Sequence, residues 1–239
     1  MNTERMGEPR GGVLILGSGA LGVMFAARFS AARVPVTVLD GWQEGLDALQ
    51  RQGATLDGKA FPVRVARRAG ECRGMRLALV LVKGWQTEEA ARQASACLAT
   101  DGIALTLQNG LGNEQVLARV LGEERVVRGI TSLGAFLTAP GMAVSGGEGP
   151  VFLPFDSRLL DLRQMLLQAG FQVRRTHDLP RLVWSKLAVN AAINPLSALL
   201  RLPNGALLRL PAVLHLMDAL ASETAAVARA QGIALDEQQ

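Results

Sequence analysis

Val13-Leu-Ile-Leu-Gly-Ser-Gly-Ala-Leu-Gly22 decides the fold of this chain. Four apolar residues, too few for a helix, run straight into a glycine-rich turn, and an amphipathic segment from about Leu21 to Ala32 follows. Val36-Thr-Val-Leu39 reads as the next strand and ends in Asp40. That is the strand–turn–helix–strand order of a dinucleotide-binding unit, with an acid about 20 residues beyond the first glycine. Gly17 permits the tight turn, Gly19 lets the backbone approach a pyrophosphate, and Gly22 allows the helix to pack closely on the strand. Ser18, Ala20 and Leu21 complete the turn, and the first N–H groups of the helix then face the phosphates.

The same alternation continues outward. Glu44–Gln52 reads as a helix, and Ala54–Leu56 and Ala60–Val65 flank Asp57-Gly58 as a hairpin. Leu77–Val82 is a buried strand with Lys83-Gly84-Trp85-Gln86-Thr87 at its end. A helix runs on to about Leu98, and Ile103–Leu107 is a strand ending at Gln108-Asn109-Gly110-Leu111-Gly112. Ligands of open α/β sheets gather at the carboxyl ends of strands, where both polar clusters fall. Short β runs at 126–131, 134–137, 142–144 and 151–153 are expected to close the sheet. A helix at 159–169 and a strand at 171–174 complete this part. Past Asp178-Leu-Pro180 the pattern is helical throughout: about 181–200, then 207–230, interrupted at Pro211 and ended by Gly232. The expected fold is α/β: a Rossmann-type dinucleotide-binding domain over residues 1–178, then an all-α domain over 179–239.

Within the first long helix, Trp184-Ser-Lys-Leu-Ala-Val-Asn-Ala-Ala-Ile-Asn-Pro195 sets three polar side chains into an apolar background. Lys186, Asn190 and Asn194 are spaced i, i+4, i+8 and share one face. Leu187, Ala188, Val189, Ala191, Ala192, Ile193 and Leu196 around them look like core. A buried ammonium and buried carboxamides are costly without partners, so a polar ligand is expected there. Each residue taken alone fits a plainer role, a snorkelling lysine or a helix-bonding asparagine. Three on one face, beside a dinucleotide domain, favour a site.

Composition bounds the rest. The chain has 239 residues, 49% hydrophobic and 19% charged, which suits a folded globular protein. Its charge of +4 is scattered, aromatics are 4% and tyrosine is absent, so nucleic-acid binding is not expected. No apolar run is long enough to span a bilayer, and the first twelve residues, with Glu4, Glu8 and Pro9, do not read as a signal peptide. A cytoplasmic protein without membrane partners is the resulting expectation. Cys72 and Cys97 are read as free thiols, and His177 and His215 offer no metal-ligand spacing, so no metal is expected. Arginine is the usual cation; lysine occurs only at 59, 83 and 186, which singles out Lys83 and Lys186.

Together these motifs resemble the ketopantoate reductase (2-dehydropantoate 2-reductase) family of the 6-phosphogluconate-dehydrogenase-like superfamily. The matching pieces are Gly17–Gly22, Val82-Lys83-Gly-Trp-Gln86, Gln108–Gly112, the glycines at 129, 134, 141, 147 and 149 with Ala135 and Pro140, and Trp184-Ser-Lys-Leu…Asn190…Asn194-Pro195. The resemblance implies that Lys83 and Asn109 contact the cofactor, that Lys186 is the general acid, and that Asn190 and Asn194 hold a 2-keto acid substrate. It implies NADP(H) as cofactor and a monomer or homodimer. Two departures stand out. The family usually has an arginine just after the second strand; here Asp40-Gly41-Trp42 stands there, which suits the free 2′-hydroxyl of NAD(H). Lys83, Arg33 or Arg51 are candidates to compensate. The family also continues for roughly another 60 residues on the arithmetic of a two-domain member, with a carboxylate-binding serine and an acidic residue that Ser222 and Glu223 do not match. The helical domain is therefore expected to be truncated. Rival readings are a reductase of another 2-keto acid or an imine, and a dinucleotide-binding protein without turnover.

Overall fold

The structure, a computed structural model, describes residues 11–235; residues 1–10 and 236–239 lie outside the described part, and with them most of the segment read as lacking a signal peptide. Two compact units divide the chain at Thr176 and His177. The first begins with β1 (Val13–Leu16), α1 (Ala20–Ala31), β2 (Val36–Leu39) and α2 (Gln43–Gln52), followed by β3 (Ala54–Leu56), β4 (Lys59–Phe61) and β5 (Arg64–Ala66). Then come β6 (Met75–Val80), α3 (Thr87–Cys97), β7 (Leu98–Thr106), α4 (Asn113–Leu121) and β8 (Val126–Arg128). β9 (Ile130–Thr131), β10 (Gly134–Ala139), β11 (Met142–Gly147), β12 (Val151–Pro154), α5 (Leu160–Gln168) and β13 (Val173–Thr176) complete it.

Its centre is a six-stranded sheet in the order β5-β2-β1-β6-β7-β8, every pairing parallel. Because side chains alternate, Val13 and Ile15 of β1 face one layer while Leu14 and Leu16 face the other. All four are fully buried, which is why the strand reads as a continuous apolar run. One layer is closed by Phe25 and Phe29 of α1 with Phe171, whose ring stacks on Phe25 at 4.4 Å; the other is closed by the alanines of α3 and by Leu117 and Leu121 of α4. Each fully buried Leu, Val or Phe contributes roughly 1.5–3 kcal/mol, so the layers together dominate stability.

Two expectations are corrected. The run 60–65 is not one strand. It divides at Pro62 into β4, which pairs with β3, and β5, which joins the edge of the main sheet beside β2. Proline has no N–H for a ladder, so the chain changes sheets there. Nor do the later β runs close the main sheet. Only β8 extends it; β10-β11-β3-β4 form a second sheet and β13-β12-β9 a third, with the change falling at Gly129. Strand propensity alone cannot choose among sheets, because partner choice is a non-local matter.

The second unit holds α6 (Leu179–Leu200), α7 (Asn204–Leu207) and α8 (Pro211–Ala230). Asp178 caps α6, its carboxylate accepting from Arg181 N at 3.3 Å, and Pro180 takes an early position where a missing N–H costs nothing. α6 packs on α8 and α7. Among the described residues no helix is long and apolar enough to cross a membrane.

Candidate functional site

In the first unit the sequence-chosen residues converge at the carboxyl ends of the parallel strands. Gly17 follows β1 with φ +115°, a left-handed conformation that side chains rarely adopt, and its N–H donates to Leu39 O at 3.0 Å. A Cβ on residue 22 would collide with the Gly17 carbonyl, whereas a Cβ on Gly19 would meet open space. The two glycines therefore differ in kind: Gly22 serves helix–strand packing, and Gly19 keeps a surface clear. α1 starts at Gly19 without a side-chain cap, so its first N–H groups have no partner within the helix and form an anion site. A dinucleotide pyrophosphate fits this cradle.

Asp40 ends β2, and its side chain is buried. Oδ2 accepts from Ser18 N at 2.5 Å and Ser18 Oγ at 2.6 Å, while Oδ1 accepts from Gly41 N at 2.7 Å and Trp42 N at 3.3 Å. The acid thus braces the glycine turn and lays a fixed negative charge at the corner where an adenosine ribose sits in this fold. Neither Arg33 nor Arg51 is placed to offset it. Arg33 precedes β2, at the opposite end of the sheet, and Arg51 closes the far end of α2. The cation at this corner is instead Arg67. It follows β5, whose Ala66 is in register with Leu39, and its guanidinium is engaged by Gln43 Oε1 at 2.9 Å, Gln50 Oε1 at 2.8 Å and Asp47.

Lys83 and Asn109, exposed at the ends of β6 and β7, are joined from beneath by a network the sequence reading missed. Gln108 Nε2 donates to Val82 O and to Thr87 Oγ1, both at 2.9 Å, and Gln108 Oε1 accepts from Thr106 Oγ1 at 2.9 Å. The Thr87 hydroxyl lies 2.8 Å from Gly84 O and 3.2 Å from Asn113 Oδ1, and Asn113 Nδ2 donates to Asn109 O at 3.0 Å. Thr87 and Asn113 are buried at helix starts, where their types signal capping rather than a link between loops. Above the network an open cleft of about 1220 Å³ is lined by Trp85, which is 83% exposed, Asn109, Leu111 and the first turns of α4. Thr87→Val should destabilise the protein by about 1–3 kcal/mol by stranding Gln108 and Asn113. Urea unfolding would show this, with Thr87→Ser close to wild type.

In the second unit Lys186, Asn190 and Asn194 share a flank of α6 but not an environment. Lys186 and Asn190 are half-buried and Asn194 is exposed. The apolar surroundings are also less buried than the composition suggests: Ala192 and Leu196 are buried, whereas Val189 is 49% exposed and Leu187, Ala188, Ala191 and Ile193 are intermediate. Within this unit α6 packs on the long α8 and the short α7. Burial still lowers the pKa of the Lys186 ammonium below that of an ordinary lysine, through loss of solvation. Lys186 borders a cavity of about 950 Å³ between α6 and α8, together with Val189, Ala192, Ala221, Ser222 and Arg229; Asn190 and Asn194 do not line it. Ser222, which no sequence motif places in a site, and Arg229, which the sequence did not single out, reach the cavity from α8, a helix separate from that of Lys186. A lysine with a weakened hold on its proton can protonate a carbonyl oxygen, and carboxamides can hydrogen-bond such oxygens without adding charge.

A parallel sheet of this order with a glycine turn fitted for a pyrophosphate, followed by helices bearing such a lysine, defines a dinucleotide-dependent oxidoreductase. The chain belongs to the ketopantoate reductase PanE/ApbA family: residues 13–155 match that family, and residues 178–239 match its C-terminal part. A 2-dehydropantoate 2-reductase of Archaeoglobus fulgidus is 31% identical over 229 residues, covering 94% of this chain and 76% of the relative. Among solved structures, the 2-dehydropantoate 2-reductase of Geobacter metallireducens superposes with a TM-score of 0.84 at 32% identity, covering 93% of this chain and 76% of that one. The PanE/ApbA family ketopantoate reductase of Ralstonia eutropha gives 0.85 at 28%, covering 94% and 76%.

Proposed function

We propose that this chain reduces 2-dehydropantoate to pantoate, a step of pantothenate biosynthesis, using a reduced nicotinamide dinucleotide. The observation that carries this reading is Lys186, whose ammonium is half-buried on the helix that also bears Asn190 and Asn194, in a chain similar along 94% of its length to a 2-dehydropantoate 2-reductase. The nicotinamide, when bound, supplies the hydride for the keto carbon. Gly17 to Gly22 and the start of α1 hold its pyrophosphate, and Lys83 and Asn109 hold the remainder of the dinucleotide. Lys186 gives its proton to the keto oxygen as negative charge develops there, and Asn190 and Asn194 hydrogen-bond the substrate oxygens without adding charge. The two compact units, which divide between Thr176 and His177, are the cofactor and substrate domains.

The reduced cofactor is NADH in preference to NADPH. Asp40 supports this, because its fixed carboxylate opposes a 2′-phosphate while Arg67 is already engaged on α2. Asp40→Ala combined with Gly41→Arg should shift the affinity ratio toward NADPH by about 1–3 kcal/mol. Calorimetric titration with both dinucleotides checks this, and an unchanged ratio would place 2′ recognition elsewhere. The activity itself is tested by following nicotinamide oxidation with 2-dehydropantoate beside a panel of other 2-keto acids and cyclic imines. Faster turnover of a panel member than of 2-dehydropantoate would replace the substrate, and tight cofactor binding with no turnover of any would remove the enzyme reading.

A further inference from the structure

Cys72 and Cys97 take no part in the site above. Cys72 ends the short turn Ala69–Glu71 just before β6, and Cys97 is the last residue of α3. Their sulfurs are 2.8 Å apart at 3% and 0% exposure, closer than unbonded sulfurs normally sit, and both thiols lie against the Ala69 carbonyl, at 3.6 and 3.4 Å. Among the described residues no third histidine, cysteine or acid joins them to hold a metal. The surroundings are apolar, with Ala66, Ala90, Ala91, Ala94 and Leu98 in the same cluster. Between the two cysteines the chain runs through β6, the Lys83 loop and α3, so a bond between them would close that whole segment into a ring.

We propose that Cys72 and Cys97 are a modification site, a dithiol that closes to an intrachain disulfide by exchange with a small disulfide such as oxidised glutathione. Cys72 attacks first. It sits at the end of a short surface turn in which Arg68, Gly70, Glu71 and Arg73 are exposed, so that a local opening of this turn uncovers its thiol to a small disulfide. Cys97 is the resolving residue, since burial pushes its thiol well above the ordinary range and makes it a poor first nucleophile. In the first step Cys72 loses its proton, its sulfur bonds to one glutathione sulfur, the glutathione disulfide breaks, and one glutathione thiol leaves. In the second, Cys97 loses its proton and displaces the other glutathione from Cys72. Both cysteines are oxidised, one glutathione disulfide is reduced to two thiols, and the two protons pass to those thiols.

The test incubates the folded chain with defined ratios of oxidised to reduced glutathione, then alkylates under denaturing conditions and measures mass. The expected result is a monomer lighter by two hydrogens with neither cysteine alkylated, a peptide joining residues 72 and 97, and reversal by dithiothreitol. The oxidised form should melt at a higher temperature than the reduced one, because the cross-link restricts the unfolded chain. Cys97→Ala should stop at a glutathione adduct on Cys72 and show no such rise. Two alkylated cysteines at every ratio, a lasting adduct on Cys72 in the wild type, or a bond between chains would each overturn the proposal. The wild-type masses decide the matter even if the variant folds poorly.

Discussion

Replacing Lys186 by alanine is expected to lower kcat by about 10²–10⁴-fold, the usual contribution of a general acid, and to change KM far less. The asymmetry follows from the chemistry, since the oxygen needs the proton chiefly as charge develops on it, so the loss falls on the transition state. Cofactor affinity should be unchanged, which separates lost chemistry from lost structure. The pH profile supplies a second reading. Lys186 must be protonated to act, and burial lowers its pKa, so activity should fall as pH rises through that lowered value, earlier than for a solvated lysine. Lys186→Arg keeps the charge but holds its proton too tightly to donate at neutral pH. It should stay slow while losing that alkaline limb. A near-wild-type kcat for Lys186→Ala would reject the acid role and leave Lys186 a snorkelling residue at the edge of the α6–α8 cavity.

The second large effect separates two glycines that a motif treats alike. Gly22→Val should prevent folding, because its side chain would enter the Gly17 carbonyl and lever α1 from β1, where Phe25 and Phe29 seal one layer of the core. Gly19→Val should fold with a near-wild-type melting temperature, since nothing in the protein stands within reach of its Cβ. Its cofactor affinity should nevertheless collapse, because the branched side chain would fill the space above the first N–H groups of α1. Circular dichroism with calorimetric titration distinguishes the two. Undiminished dinucleotide binding by Gly19→Val would remove the pyrophosphate cradle from the account.

The contrast shows why the fold was legible and parts of the site were not. β1, the glycine turn, α1 and β2 are consecutive, and each is specified locally: an apolar run, a residue tolerating positive φ, an amphipathic period, then another run. Sequence periodicity reads such elements directly. It likewise placed Lys186, Asn190 and Asn194 on one flank of α6, because helical spacing is fixed by geometry. It put Asp40, Lys83 and Asn109 at strand ends because each follows a short apolar run closely.

What tertiary structure alone decided are relations between segments distant in the chain. The role of Asp40 as a brace for Ser18 depends on β1 and β2 lying side by side. Arg67 reaches the same corner because β5, freed from β4 at Pro62, pairs with β2. The Gln108–Thr87–Asn113 linkage exists because β6 and β7 are neighbours, and the cysteine pair because α3 returns beside the turn that precedes β6. The exposure of Val189 and Asn194 depends on which residues of α6 its packing partners cover. Local sequence fixes which way a side chain leaves its own strand or helix. Which group it then meets is set by the pairing and packing of elements far apart in the chain, where many residue types satisfy the same local pattern.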